Sequence, residues 1–195
     1  MNFLAHLYLT RHDPVLTVGN FLGDMLTNRQ VAQLPQAIQK GVKLHRAIDQ
    51  FTDNHPANRQ TLKLLRPRHG RYAGVVLDLL QDYLLSENWH LFMPEKTLRE
   101  FSIDIYEILL GNLNEMPPPL RERTQRMVEA DWLMQYANLA GLEYAFSRLQ
   151  LRTSRPQYIE HATLTLREFH QPLTEGFLAF FPDVITFVDR SIETY

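Results

Sequence analysis

A chain of 195 residues, 45% hydrophobic and 22% charged, is long enough for one domain with a real core. Its 20 Lys and Arg against 22 Asp and Glu leave a formal net charge of -2, so no whole-chain bias points to nucleic acid. It has no cysteine, which excludes disulfides, thiolate zinc sites and cysteine nucleophiles and leaves His and carboxylates to hold any metal.

The pattern is helical nearly throughout, with apolar residues at three- and four-residue steps and prolines as punctuation. The spacing predicts helices near 2–10, 15–27, 35–53, 56–65, 70–91, 95–111, 117–131, 133–150, 156–170 and 173–193, the last open to a break around Pro182. "EMPPPL", 115–120, is the one linker-like stretch, and it is too short to mark a domain boundary. The expectation is a single all-α domain over residues 1–195, a helical bundle. No apolar run approaches the roughly 20 residues that span a bilayer. The apolar start lacks the basic residues and cleavage site of a signal peptide, so a soluble cytoplasmic protein is expected.

In the first helix, "NFLAHLYL" (2–9) embeds His6 in an apolar run; alone, it reads as a hydrogen-bonded core histidine. "RHDP" (11–14) puts Asp13 and Pro14 at the N-cap and N1 of the next helix, so His12-Asp13 is a helix start and not a ligand pair. "GNFLGDML" (19–26) has Gly19 and Gly23 one turn apart, which lets another backbone come close. Asn20 and Asp24, four apart, run a polar line along that apolar helix, although Asp24 also fits a plain surface acid.

"KLHRAIDQFTDNHP" (43–56) sets His45, Asp49 and Asp53 at steps of four. Such a step turns a side chain by ~40° and lifts it ~6 Å. Leu44, Ile48 and Phe51 share the core stripe, and the three polar residues run beside it. Two readings stand: a solvated polar stripe, or one wall of a metal site. Asp53 also suits a helix cap before Pro56. "NRQTLKLLRPRHGR" (58–71) then carries Arg59, Lys63, Arg66, Arg68 and Arg71, a charge run of the kind that usually covers a solvated face.

"VVLDLLQDYLL" (75–85) is apolar except at Asp78, Gln81 and Asp82, the pattern of a buried helix. Burying an unpaired carboxylate costs several kcal/mol, so these acids need a partner: Arg46, Arg71 or a cation. Four early helices thus each bring a His or Asp onto or beside an apolar face, and a divalent ion between them would satisfy all together. The second half offers no comparable chemistry; Phe177, Phe180 and Phe181 are expected in the core.

The opening "MNFLAHLYLT", with "GNFLGD", "HRAIDQFTDNHP" and "LDLLQDYLLSENW" (77–89), resembles the acyl carrier protein phosphodiesterases, in order and at the right separations over about the first half of the chain. The resemblance implies an all-α fold distantly like the HD-type metal phosphohydrolases and a divalent cation, Mn2+ or Mg2+. It implies hydrolysis of the phosphodiester joining 4′-phosphopantetheine to a serine of holo-acyl carrier protein. His6, Asp24, His45, Asp49, Asp53, Asp78 and Asp82 fall in the family's motifs. Members of the family often carry histidine where this chain has Tyr8 and Tyr83, so it must do without an imidazole at both.

Phosphodiester chemistry suits these groups, since a divalent ion draws in phosphate oxygens and acidifies water. Carboxylates with one or two imidazoles suit manganese or magnesium, whereas imidazoles alone would favour zinc. The expected direct ligands are Asp24, His45, Asp49 and Asp78. His6 and Asp82 are expected to orient ligands or take a proton. Arg46, about 100° round the helix from His45, is a candidate phosphate clamp. The substrate so implied is a small acidic protein, and Arg59, Lys63, Arg66, Arg68 and Arg71 are the expected docking surface. The rival readings are a metal phosphohydrolase acting on a nucleotide or other small phosphoester, and a binding-only helical protein whose polar residues close on each other.

Overall fold

Caps and prolines set where the helices start. Asp13 accepts hydrogen bonds from the backbone N–H of Val15 and Leu16, at 2.9 and 3.0 Å, with Pro14 at N1, so "RHDP" does begin a helix. The computed structural model describes residues 1–193. Its α-helices are α1 Phe3–Thr10, α2 Pro14–Leu22, α3 Asn28–Val31, α4 Gln36–Asn54, α5 Pro56–His69, α6 Ala73–Glu87 and α7 Trp89–Phe92. There follow α8 Leu98–Gly111, α9 Pro118–Glu129, α10 Trp132–Gln135, α11 Leu139–Gln150, α12 Ala162–Glu168 and α13 His170–Ile192. There is no strand among the described residues, so the fold is all-α.

Several boundaries differ from the sequence pattern for local reasons. Helix α2 stops at Leu22 and tightens into a 3-10 turn at Gly23–Met25. The run 70–91 divides at Asn88, and the run 133–150 divides where the Asn138 side chain caps α11 through Gly141 N–H at 2.9 Å. Neither Asp53 nor Asn54 caps α5; the His55 ring does, accepting from Ala57 N–H. Helices α5 and α13 run straight through Pro67 and Pro182. Both prolines face solvent, where water can meet the freed carbonyl, while Leu65 and His69, or Phe181 and Val184, hold the turns on either side in the core.

Helix α1 is the centre of the core: every residue from Leu4 to Thr10 is buried. Helices α2, α6 and α13 pack against it, and α4 lies against α2 and α13. The closest crossing is α2 on α4. A Cβ on Gly19 would stand 2.2 Å from the Ile38 carbonyl oxygen and 2.7 Å from Gly41 Cα, so only glycine allows this backbone contact. The approach sets the residue after Gly19, Asn20, beside the turn of α4 that bears His45. Phe177, Phe180 and Phe181 of α13 are buried, as the apolar pattern predicts, each burial favouring the fold by about 1.5–3 kcal/mol. The later helices close over the start of α1. The Trp132 ring lies 6.4 Å from that of Phe3, and Asn2 donates to the Tyr136 hydroxyl at 2.7 Å.

Candidate metal centre

Three helices supply the centre: α1 with His6, α2 with Asn20, and α4 with His45 and Asp49. Asn20 is fully buried and orders the two rings. Its amide nitrogen donates to the His6 carbonyl at 2.6 Å and to the Thr10 hydroxyl at 3.2 Å, which turns Oδ1 toward the imidazoles. His6 Nδ1 lies 3.0 Å and His45 Nδ1 2.9 Å from that oxygen. An amide oxygen only accepts, so both Nδ1 atoms are donors, and each neutral ring keeps its lone pair on Nε2. The rings stack, 4.1 Å apart at 20°.

Both Nε2 atoms face carboxylates. His6 Nε2 is 3.1 Å from Asp49 Oδ1, and His45 Nε2 is 3.2 Å from Asp49 Oδ2 and 3.0 Å from Asp24 Oδ1. Neither makes an aligned hydrogen bond, although both are buried. A lone pair opposite a carboxylate oxygen at this range is repulsive unless positive charge stands between them. Ligand atoms of His6, His45 and Asp49 all lie within 4.8 Å of one another. A space of about 10 Å³ borders His6, Asn20, Asp24 and His45, room for about one water-sized body. Two carboxylates against two neutral imidazoles leave a charge that one divalent cation would cancel. Mixed nitrogen and oxygen donors suit a divalent metal cation.

Without a metal, a proton takes that place. Burial pulls the His45 imidazole down, but the Asp24 and Asp49 carboxylates outweigh it and raise its pKa to about 9. His6 is pushed down by burial and by the charge on His45. Burial works to raise Asp49, yet the two imidazoles hold it well below the usual carboxylate range. Asp24, on the solvent side with 75% of its side chain exposed, is held low by the His45 imidazole 3.0 Å away.

The other predicted residues lie elsewhere. Asp78 Oδ1 pairs with the Met1 ammonium group at 2.8 Å. Asp82 is fully buried and caps α1 from another helix: its Oδ2 accepts from Leu4 N–H at 2.7 Å, and its Oδ1 from Asn2 and Ala5 N–H, both at 3.2 Å. The Asn2 side chain makes no cap bond of its own. Burial raises Asp82 to about 7 against these three donors. Neither acid is closed by Arg46 or Arg71. Arg46 is exposed beside His45, with no hydrogen bond or ion pair among the described residues. Asp53 sits exposed one turn beyond Asp49.

The basic run of α5 and the turn after it makes its contacts with other groups. Arg68 binds Thr165 and Glu168, Arg71 binds Ser154, Arg59 binds Asn54 and Lys63 binds Gln60. Arg66 is exposed. Tyr8 and Tyr83 also stand apart: the Tyr8 hydroxyl donates to the Phe92 carbonyl inside an aromatic cluster, and Tyr83 donates to Glu87.

Three features were not singled out from the sequence as site residues. Asn20 is one; its signal was an amide inside an apolar run, next to a glycine at a helix crossing. The Met1 amine is another. The third is a cavity of about 610 Å³ lined by Asp24 and Asp78 of the first half and by Arg123, Arg148 and Arg152 of the second.

The chain matches the model of the acyl carrier protein phosphodiesterase family over residues 1–184. Similar proteins include the acyl carrier protein phosphodiesterases of Escherichia coli O45:K1 (strain S88 / ExPEC) and of Escherichia coli (strain K12 / DH10B). Each is 27% identical over 190 residues, covering 97% of this chain and 98% of its own. No solved structure matches the chain.

Proposed function

The chain belongs to the acyl carrier protein phosphodiesterase family, and on that premise we propose that it hydrolyses the phosphodiester joining 4′-phosphopantetheine to a serine of holo-acyl carrier protein. The products are apo-acyl carrier protein and 4′-phosphopantetheine. The observation that carries the metal-dependent form of this reading is the pair of buried Nε2 atoms facing Asp49 without aligned hydrogen bonds.

His6, His45 and Asp49 would hold a divalent cation, Mn2+ or Mg2+, with Asp24 completing the set from the solvent side. When bound, such an ion supplies charge for the phosphate oxygens and lowers the pKa of water. Asn20 fixes both rings in the tautomer that presents Nε2. Asp24 and Asp49, both held low, stay ionised at neutral pH and contribute charge more than proton transfer. Arg46, exposed one residue after His45, would be the guanidinium that meets a phosphodiester oxygen. Asp82 and Asp78 act as positioning residues: they pin the start of α1, and so the helix that carries His6.

The test is direct. Protein loaded with Mn2+ or Mg2+ is incubated with holo-acyl carrier protein and the carrier's mass is read. Loss of the 4′-phosphopantetheine mass, stopped by EDTA, is expected. An unchanged carrier, with turnover of a nucleotide or small phosphoester in its place, would replace this reading with the other phosphohydrolase one.

A further inference from the structure

The second half of the chain carries a cluster of unpaired cations that the metal centre does not use. Arg123 of α9, Arg148 of α11 and Arg152, just past the end of α11, line one cavity of about 610 Å³. Trp132 and Tyr144 form part of its wall, as does Asp24, which also borders the small space beside His6 and His45. The cavity therefore adjoins the candidate centre at Asp24. None of the three guanidinium groups has a carboxylate partner among the described residues, and Arg148 and Arg152 are exposed. Like charges held this close repel. Arg123 is half-buried, and its pKa is lowered by burial and by the neighbouring charges of Arg152 and Arg126. Three unpaired cations at one rim are a standing cost to the fold that an external anion would relieve.

We propose that this rim docks the acidic face of the carrier protein, with Arg123, Arg148 and Arg152 meeting its carboxylates while the phosphodiester enters past Trp132 to Asp24. This rests on the phosphodiesterase reading. The charge layout favours an acidic protein over a nucleic acid. The cavity's only cationic side chains are these three arginines, and most of its remaining lining is apolar (Phe3, Val75, Leu79, Leu120, Leu149), so it lacks the continuous basic track that a polyanion lying along it would need. A partner with carboxylates at the arginines and a single phosphodiester reaching toward Asp24 does not need one. The five basic residues of Arg59–Arg71 line none of this cavity, and four of them already have partners within the protein.

The experiment uses labelled apo-acyl carrier protein, which has no bond to cleave, and follows fluorescence anisotropy with wild type and with Arg148→Ser/Arg152→Ser. Both positions are exposed, so the variant should fold; its circular dichroism and Tm confirm that. Wild type is expected to bind more weakly as salt rises. The variant is expected to bind about tenfold more weakly, with a flatter salt dependence. With holo-carrier, the KM of the variant rises by a similar factor at unchanged kcat, and hydrolysis of bis(p-nitrophenyl) phosphate is unaffected. Equal apo-carrier binding by wild type and folded variant would overturn the proposal. So would no binding by wild type, or a single-stranded oligonucleotide that binds more tightly and depends on the same two arginines. Failure to cleave holo-carrier, with docking intact, would instead remove the phosphodiesterase reading and leave the docking face standing.

Discussion

His6 and His45 lie ring on ring, 4.1 Å apart, and turn their Nδ1 atoms to the same amide oxygen of Asn20. The consequence is on the far side of each ring, where both Nε2 atoms face Asp49. One amide therefore sets the tautomer of two imidazoles on two helices.

Removing that amide should loosen the centre without touching a ligand. Asn20→Ala leaves both Nδ1 donors without their acceptor and frees the rings to turn. Mn2+ affinity, measured by isothermal titration calorimetry, should fall roughly 10- to 100-fold. An affinity equal to wild type would mean that Asn20 does not orient the rings.

The pH dependence has a definite sign. Without a metal, burial lowers the His45 pKa but the Asp24 and Asp49 carboxylates outweigh it and raise it from 6.5 to about 9. A raised folded pKa stabilises fully below the unfolded value and is lost as pH climbs through the folded one. Metal-free protein should therefore lose stability from about pH 6.5 to 9, at roughly 2–4 °C of Tm per kcal/mol. His45→Gln should flatten that slope. Bound Mn2+ should also remove it, because the ion takes the proton's place. A slope that survives His45→Gln would assign the effect to another group.

Glycine substitutions separate close contact from open space. A Cβ on Gly23 would stand 2.1 Å from His45 Cγ, so Gly23→Ala should push the ring aside and abolish Mn2+ binding. Gly19→Ala strikes backbone of α4 and should lower Tm markedly. Nothing lies within 4 Å of a Cβ on Gly74, and Gly74→Ala in α6 should be neutral or stabilise by up to about 1 kcal/mol. Thermal melts and calorimetry on the three variants check the order.

The acids should fall into two classes. Asp82→Ala leaves three N–H groups at the start of α1 without an acceptor, a loss on the order of 2–3 kcal/mol visible in urea unfolding. Asp24→Ala and Asp49→Ala should stay folded and lose carrier cleavage. Stable, inactive Asp82→Ala would place that carboxylate in the chemistry.

The helices and the early polar residues were legible because periodicity survives packing. The four-residue spacing of His45 and Asp49 reads directly as one helix face, and Asp13-Pro14 reads as a helix start. The pairing of Asp78 with an amine and of Asp82 with the N–H groups of another helix was not legible. Those bonds cross about 80 positions of chain, and a buried acid looks alike whether it caps a helix or binds an ion. Arg123 was invisible beside Arg148 and Arg152 for the same reason: it comes from α9, the other two from the end of α11, and they meet only in the fold.

The central claim is a cation held between α1 and α4. The most direct test is anomalous scattering at the manganese edge from crystals grown with Mn2+. A peak within bonding distance of His6 Nε2, His45 Nε2 and Asp49 is predicted. A map with no peak there, or with its peak at Asp78 and Asp82, would contradict the account.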